Sequence, residues 1–203
     1  MLHGVTAAEA PEAAPDGRTT RRRRRLPWAA LATAVLLVVG YALWWLVWST
    51  PIRDSGGYGV GFTDVEPGES RTIGLPPLCL DGAESAVIDD VTVDPAGLTV
   101  VDFAVRPADP HEGFGGFPGS IRDSGFGGSR AFTDQCAGGD HAEVAVELVR
   151  GVNGPALTEH VYLHWSAGVR SGVIALPMGA ALCLDGEVND FCGPDPVPFD
   201  GRR

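Results

Sequence analysis

Several groups of side chains in this 203-residue chain have the type and spacing to do chemistry. His160 and His164 stand four apart, the spacing at which two imidazoles on one helix face grip a metal ion. Their segment, EHVYLHW, is β-branched and aromatic, which predicts a strand. Four residues of strand span about 13 Å, whereas zinc–nitrogen bonds are about 2.1 Å. One ion cannot bridge both rings, so an exposed His–Tyr–His stripe is expected. Asp185, Glu187 and Asn189 offer oxygen ligands at alternate positions, the opening rhythm of a calcium loop. That loop needs Gly at its sixth position and Glu at its twelfth, where this chain has Asp190 and Pro196. The candidates there are a calcium site or a solvated acidic turn, the latter favoured.

Asp89 and Asp90 could work as a general acid–base pair. Neighbours on a strand point to opposite faces, so the pair needs a bulge to act together. DSGG at 54–57 has the look of a serine-nucleophile segment, but Ser55 lies seven residues after Trp48, in the expected tether, with no room upstream for the His and Asp such a site needs. RDSG recurs at 122–125, a sign of low complexity. His111 and His141 join no motif. The expectation is a chain with no catalytic residue, no metal and no cofactor.

The four cysteines Cys79, Cys136, Cys183 and Cys192 form no CxxC pair. Their even number suits two structural disulfides in an oxidising compartment. Three connectivities are open. Cys79–Cys136 with Cys183–Cys192 closes the shorter loops and is the expected set, while Cys79–Cys183 would join two copies of the pentapeptide LCLDG, at 78–82 and 182–186. Each copy reads as a strand end: two leucines on one face, a thiol on the other, then an Asp-Gly turn. Both leucine pairs are expected to be buried. The flanks of the two copies differ, so they do not mark a duplicated domain.

These groups must be positioned by what surrounds them. Residues 26–48, LPWAALATAVLLVVGYALWWLVW, carry no charged side chain and follow RRRRR at 21–25. As a helix they reach about 35 Å, enough for a hydrocarbon core of about 30 Å. Tryptophans stand at both ends, and the arginine block resists translocation. The run is too long for a cleaved signal peptide and offers no A-x-A. An uncleaved transmembrane helix is expected, with the N-terminus in the cytoplasm and the rest outside the plasma membrane. Residues 1–25 carry six Arg against three carboxylates, whereas residues 49–203 carry nine Arg against 23 carboxylates, a net of −14. So acidic a region repels nucleic acid and anionic lipid.

Residues 1–25 are expected to be a disordered tail with the Arg block, 49–69 a Gly/Ser/Pro-rich tether, 70–192 the folded domain and 193–203 a C-terminal tail. In LTVVDFAVR, HAEVAVELVR and EHVYLHW apolar and polar residues alternate with period two, the mark of half-buried antiparallel strands. SRTIGL, AVIDDVTV, GVIAL and the LCL segments are weaker candidates. No amphipathic helix follows the anchor. The fold class expected is all-β, an immunoglobulin-like antiparallel β-sandwich. Residues 107–130 form a long Gly/Phe-rich loop, either a floppy insertion, which is favoured, or a partner-binding loop using Phe114, Phe117 and Phe126.

The run CLDGAESAVIDDVTVDPAGLTVVDFAVRP, a following Cys, VAVELVR, VYLHWSAGVRSGVIALP and a late LC resembles single-pass actinobacterial membrane proteins of uncharacterised function. The resemblance covers most of residues 73–184, implies an envelope-facing β-domain and implies no activity. The functional expectation is a membrane-anchored binding or scaffolding module with an envelope protein partner. The alternatives are a calcium-dependent adhesion or sensor domain and an envelope enzyme.

Overall fold

The computed structural model describes residues 25–94, 97–109, 115–153, 155–187 and 192. The chain divides into two compact units, 1–48 and 49–203.

The first unit is helix α1, Arg25–Trp48. Its backbone is about 36 Å long at the usual helical rise. The described side chains, 30–44, are all exposed, among them Leu31, Leu36, Leu37, Val38, Tyr41 and Trp44. An apolar stripe on one side would signal packing on a protein core; here the apolar residues run all the way round. Within residues 30–44 alone the apolar stretch is shorter than a membrane span, and among the described residues no helix is long and apolar enough to cross a membrane.

The second unit is all-β, with two sheets. Its strands are β1 (Ile52–Asp54), β2 (Gly59–Phe62), β3 (Ser70–Gly74), β4 (Leu78–Leu80), β5 (Ala86–Val93), β6 (Leu98–Pro107), β7 (Gly116–Pro118), β8 (Ala131–Phe132), β9 (Ala142–Arg150), β10 (Leu157–Ala167) and β11 (Arg170–Leu182). One sheet runs β1-β4-β9-β3-β7 with β6 also on β9; the other runs β2-β11-β10-β5-β8. Ile73, Phe103, Val105, Val144, Val146 and Leu148 from the first share a core with Ile88, Val91, Val161, Leu163, Trp165, Leu176 and Met178 from the second. Burial of each such side chain contributes about 1.5–3 kcal/mol.

The structure corrects four of the expectations above. The segment 49–69 is not a tether: it supplies β1 and β2, and Ile52 and Val65 are buried in the core. Gly- and Ser-rich composition hides these strands, because only a few apolar residues are needed to dock them on a sheet already formed. The sheets are not wholly antiparallel, since β2 runs parallel to β11 from Gly59↔Gly179 to Phe62↔Leu182. Val101 is 57% exposed although alternation puts it inside; the register slips between Val100 and Asp102, and the extra residue is thrown outward. Finally, Leu78, Leu80 and Leu182 are buried but Leu184 is 40% exposed, because β11 ends at Leu182. The two Asp-Gly pairs do turn the chain, with Gly82 at φ +78° and Gly186 at φ +73°, a conformation costly for any residue with a Cβ.

Both disulfides join the expected partners, Cys79 to Cys136 and Cys183 to Cys192. The first links β4 to the short 3-10 turn Cys136–Gly138.

Candidate functional site

Alternation along β10 sends Val161, Leu163 and Trp165 into the core and His160, Tyr162, His164 and Ser166 to the outer face. Antiparallel pairing then sets Thr92 beside Tyr162 and Asp90 beside His164. The register slips between His164 and Trp165, which pair with Asp90 and Ile88 and leave Asp89 as an extra residue. The bulge removes the opposite-face objection to the carboxylate pair: Asp89 and Asp90 are both exposed on the outer side. Asp89 Oδ1 accepts a hydrogen bond from Ser166 Oγ at 3.0 Å, and Asp90 Oδ1 accepts from the Val91 N–H at 2.9 Å. His164 Nε2 lies 3.4 Å from Thr92 Oγ1.

At one end of this face Asp94 gathers donors from a second bulge, between Thr158 and His160. Its Oδ1 accepts from the Tyr162 hydroxyl at 3.0 Å. Its Oδ2 accepts from the Glu159 N–H at 3.3 Å, the His160 N–H at 3.1 Å and the Thr158 hydroxyl at 3.3 Å. His160 Nδ1 lies 3.6 Å from the same oxygen. Partial burial disfavours the Asp94 charge, but the hydrogen bonds outweigh it and hold the carboxyl below its ordinary value. The Tyr162 phenol is pushed up, chiefly by its hydrogen bond to Asp94. Asp94 belongs to none of the motifs above; a carboxylate placed before Pro95, at the end of a strand-like segment, was the available signal.

The result is an open, polar sheet face. It offers hydrogen-bond donors and acceptors along the outer side of β5 and β10. A shallow cleft of about 490 Å³ lies elsewhere, lined by Gly82, Ala83, Glu84, Thr133 and Gln135. Gln135 already donates to the carbonyls of Ala83 and Thr133 at 3.1 and 2.9 Å, which leaves Glu84 as the cleft's ionisable group.

The other expected sites fare differently. Phe126 is not a presented anchor: it is 5% exposed, packed with Ile121 on Ala104 and Ala145. Arg106 stacks 4.2 Å from its ring centre and pairs with Glu143 at 2.8 Å. The Ile121 N–H bonds to Glu147 at 3.0 Å, and the Thr72 hydroxyl to the Gly119 carbonyl at 2.8 Å. So residues 116–130 are a strap covering the outer face of β9, which explains why β9 is buried on both faces despite Glu143 and Glu147. Phe117 is half-buried in β7, beside Thr72, and Phe114 lies outside the described residues.

Of the calcium candidates, Asp185 is exposed in the turn and Asn189 lies outside the described residues. Glu187 faces a cation instead of awaiting one: its Oε2 is 3.2 Å from Nη2 of Arg150, itself 5% exposed, and accepts from the Leu184 N–H at 2.9 Å. A guanidinium so close opposes a divalent ion. Among the described residues no group of three or more His, Cys, Asp or Glu could hold a metal. Asp54 accepts from the Gly56 N–H in a local turn, and His141 Nδ1 lies 2.9 Å from the Gly139 carbonyl oxygen. His111 lies outside the described residues.

No family model and no curated protein matches the chain. Among solved structures it is similar to the VesB protease of Vibrio cholerae, with 9% sequence identity and a TM-score of 0.34 over 70% of this chain. The match spans 35% of that protease, about a third of its length, and a likeness at this level carries no argument about fold or activity.

Proposed function

We propose that this chain is a membrane-anchored, extracytoplasmic binding or scaffolding module without catalytic activity, its two sheets forming an immunoglobulin-like sandwich. The observation that carries the proposal is α1, whose described side chains are apolar and exposed on every side. Such a helix finds a favourable environment in lipid. The arginine block at 21–25 orients it with the N-terminus inside. Two disulfides suit the oxidising side of a membrane. The open face around His160, Tyr162, His164, Asp89 and Asp90 suits recognition of another protein more than enclosure of a small substrate.

The test is expression of the full chain in bacterial membranes. The protein should stay in the pellet after alkaline carbonate extraction, and protease added to intact spheroplasts should cleave residues 49–203 while leaving the N-terminus. Release by carbonate, or protection of 49–203 in spheroplasts from a protease dose that degrades it once detergent opens the membrane, would overturn the anchored topology. An Asp90→Lys variant that keeps its fold but retains every wild-type partner would remove the sheet face from the reading.

A further inference from the structure

Exposed strand edges invite pairing with other chains, and folded proteins blunt them with short strands, bulges, charges or covering segments. This domain does so at nearly every edge. β1 and β7 are three residues long, β2 four and β8 two. The edge of β5 has a bulge with two exposed aspartates, and its Ile88 N–H is taken by the Arg130 carbonyl. The edge of β6 is bulged at Val101, crossed by Arg130 in its ion pair with Asp102, and has its Val105 N–H taken by the Ser129 carbonyl.

The exception is β11. On one side it pairs with β10 along its length, but β2 covers its other side only from Gly179 to Leu182. Among the described residues nothing pairs with that side from Ser171 to Leu176. The stretch SGVIAL holds no charge, no proline and no bulge, within a region whose net charge is −14. Val173 at its centre is 55% exposed.

We propose that this edge is a self-association site, where β11 of a second copy adds antiparallel and joins two five-stranded sheets into one. The strip is complementary to itself. A two-fold axis through Val173 sets it against the second copy's Val173, pairs Ser171 with Ala175 and pairs Gly172 with Ile174. On the outer face two small residues flank an aliphatic contact. On the inner face a residue with no side chain meets a large one; Gly172 is also the position over which the Trp165 indole lies, 3.1–3.3 Å from where a Cβ would stand. No like charges meet within the strip, although the two acidic domains repel elsewhere. A charged partner segment would find nothing here to match it.

Val173→Lys tests the pairing, because it sets two like-charged side chains directly opposite, their Cβ atoms about 5 Å apart across the axis, while leaving a single copy's exposed position unstrained. Sedimentation equilibrium of the full chain in nonionic micelles should show a concentration-dependent dimer. Val173→Lys should raise its dissociation constant at least about tenfold, with an unchanged melting temperature. Val101→Lys, exposed on the β6 edge, should leave the dimer intact. A wild-type monomer up to about 1 mM would overturn the proposal. So would a dimer that survives Val173→Lys, which would place the contact in α1 or elsewhere, or one broken equally by Val101→Lys.

Discussion

Asp94 and Tyr162 are 68 residues apart in the chain, and the tyrosine hydroxyl donates to the aspartate Oδ1 at 3.0 Å. The contact ties the end of β5 to the middle of β10, and the other Asp94 oxygen holds the bulge between Thr158 and His160. Hydrogen bonds to a charged group contribute about 1.5–3 kcal/mol each when buried, and less at a half-exposed site such as this. Asp94→Ala should therefore destabilise the domain by about 1–3 kcal/mol, read as a lower denaturant midpoint with an unchanged slope.

The same carboxylate fixes a direction of pH dependence. Its folded value lies below the ordinary 3.8, so the folded state favours the ionised form. That stabilisation is complete above the unfolded value and is lost as pH falls through the folded one. Melting temperatures of wild type and Asp94→Asn should differ most at neutral pH and converge in strong acid. A gap that widens on acidification would contradict the assigned contacts.

At the alkaline end two phenols carry the opposite sign. Burial, with help from the nearby Glu143 charge, pushes Tyr58 up to about 12, while Tyr162 is raised by Asp94. Tyr58 donates its hydroxyl proton to the Gly74 carbonyl. Both groups favour the protonated form in the fold, so their contribution is present below the ordinary value of 10.0 and lost as pH rises through the folded values. Absorbance titration of phenolate should show late steps, with the latest removed by Tyr58→Phe and the Tyr162 step lowered by Asp94→Asn.

The strap over β9 should be a folded part of the domain. Arg106→Ala leaves Glu143, whose side chain is 6% exposed, without its cation, at a cost of about 3–5 kcal/mol for a fully buried pair and toward the lower end here. Phe126→Ala removes a buried ring and should cost about 2–4 kcal/mol. Limited proteolysis should find residues 116–130 protected in wild type and cut early in both variants. Early cutting in wild type would mean that the strap is loose.

Glu187 gives a fifth expectation. Because it answers Arg150, calcium should leave the melting temperature where a chelator leaves it, whereas Glu187→Gln should lower stability by about 1–3 kcal/mol with or without calcium. A calcium-dependent rise lost in Asp185→Ala would restore the metal site.

Local pattern and tertiary placement explain different parts of this molecule. β6, β9 and β10 were legible because period-two alternation is a property of a strand alone, and EHVYLHW showed its inward and outward sides without a partner. The cysteine pairing agrees with the set that closes the shorter loops, but the sequence left three connectivities open and only the fold chose among them. β1 and β2 were not legible, since RDSGGYGVGF has too few apolar residues to announce strands and gains its order from β4 and β11.

The outward face of β9 shows the limit most clearly. Glu143 and Glu147 read as solvent-facing because a strand's sequence cannot know what will lie across it. Thirty-seven residues separate Arg106 from Glu143, and 26 separate Ile121 from Glu147. The sequence by itself determined the apolar helix, the acidic β-domain and the alternation that sends His160, Tyr162 and His164 outward. Only the tertiary structure decided that a bulge would put Asp89 and Asp90 on one face, that Phe126 would be covered, that Glu187 would meet Arg150 and that, among the described residues, one side of β11 would stay unpaired from Ser171 to Leu176. Those outcomes depend on register and long-range contact, which are set by the packing of the whole chain.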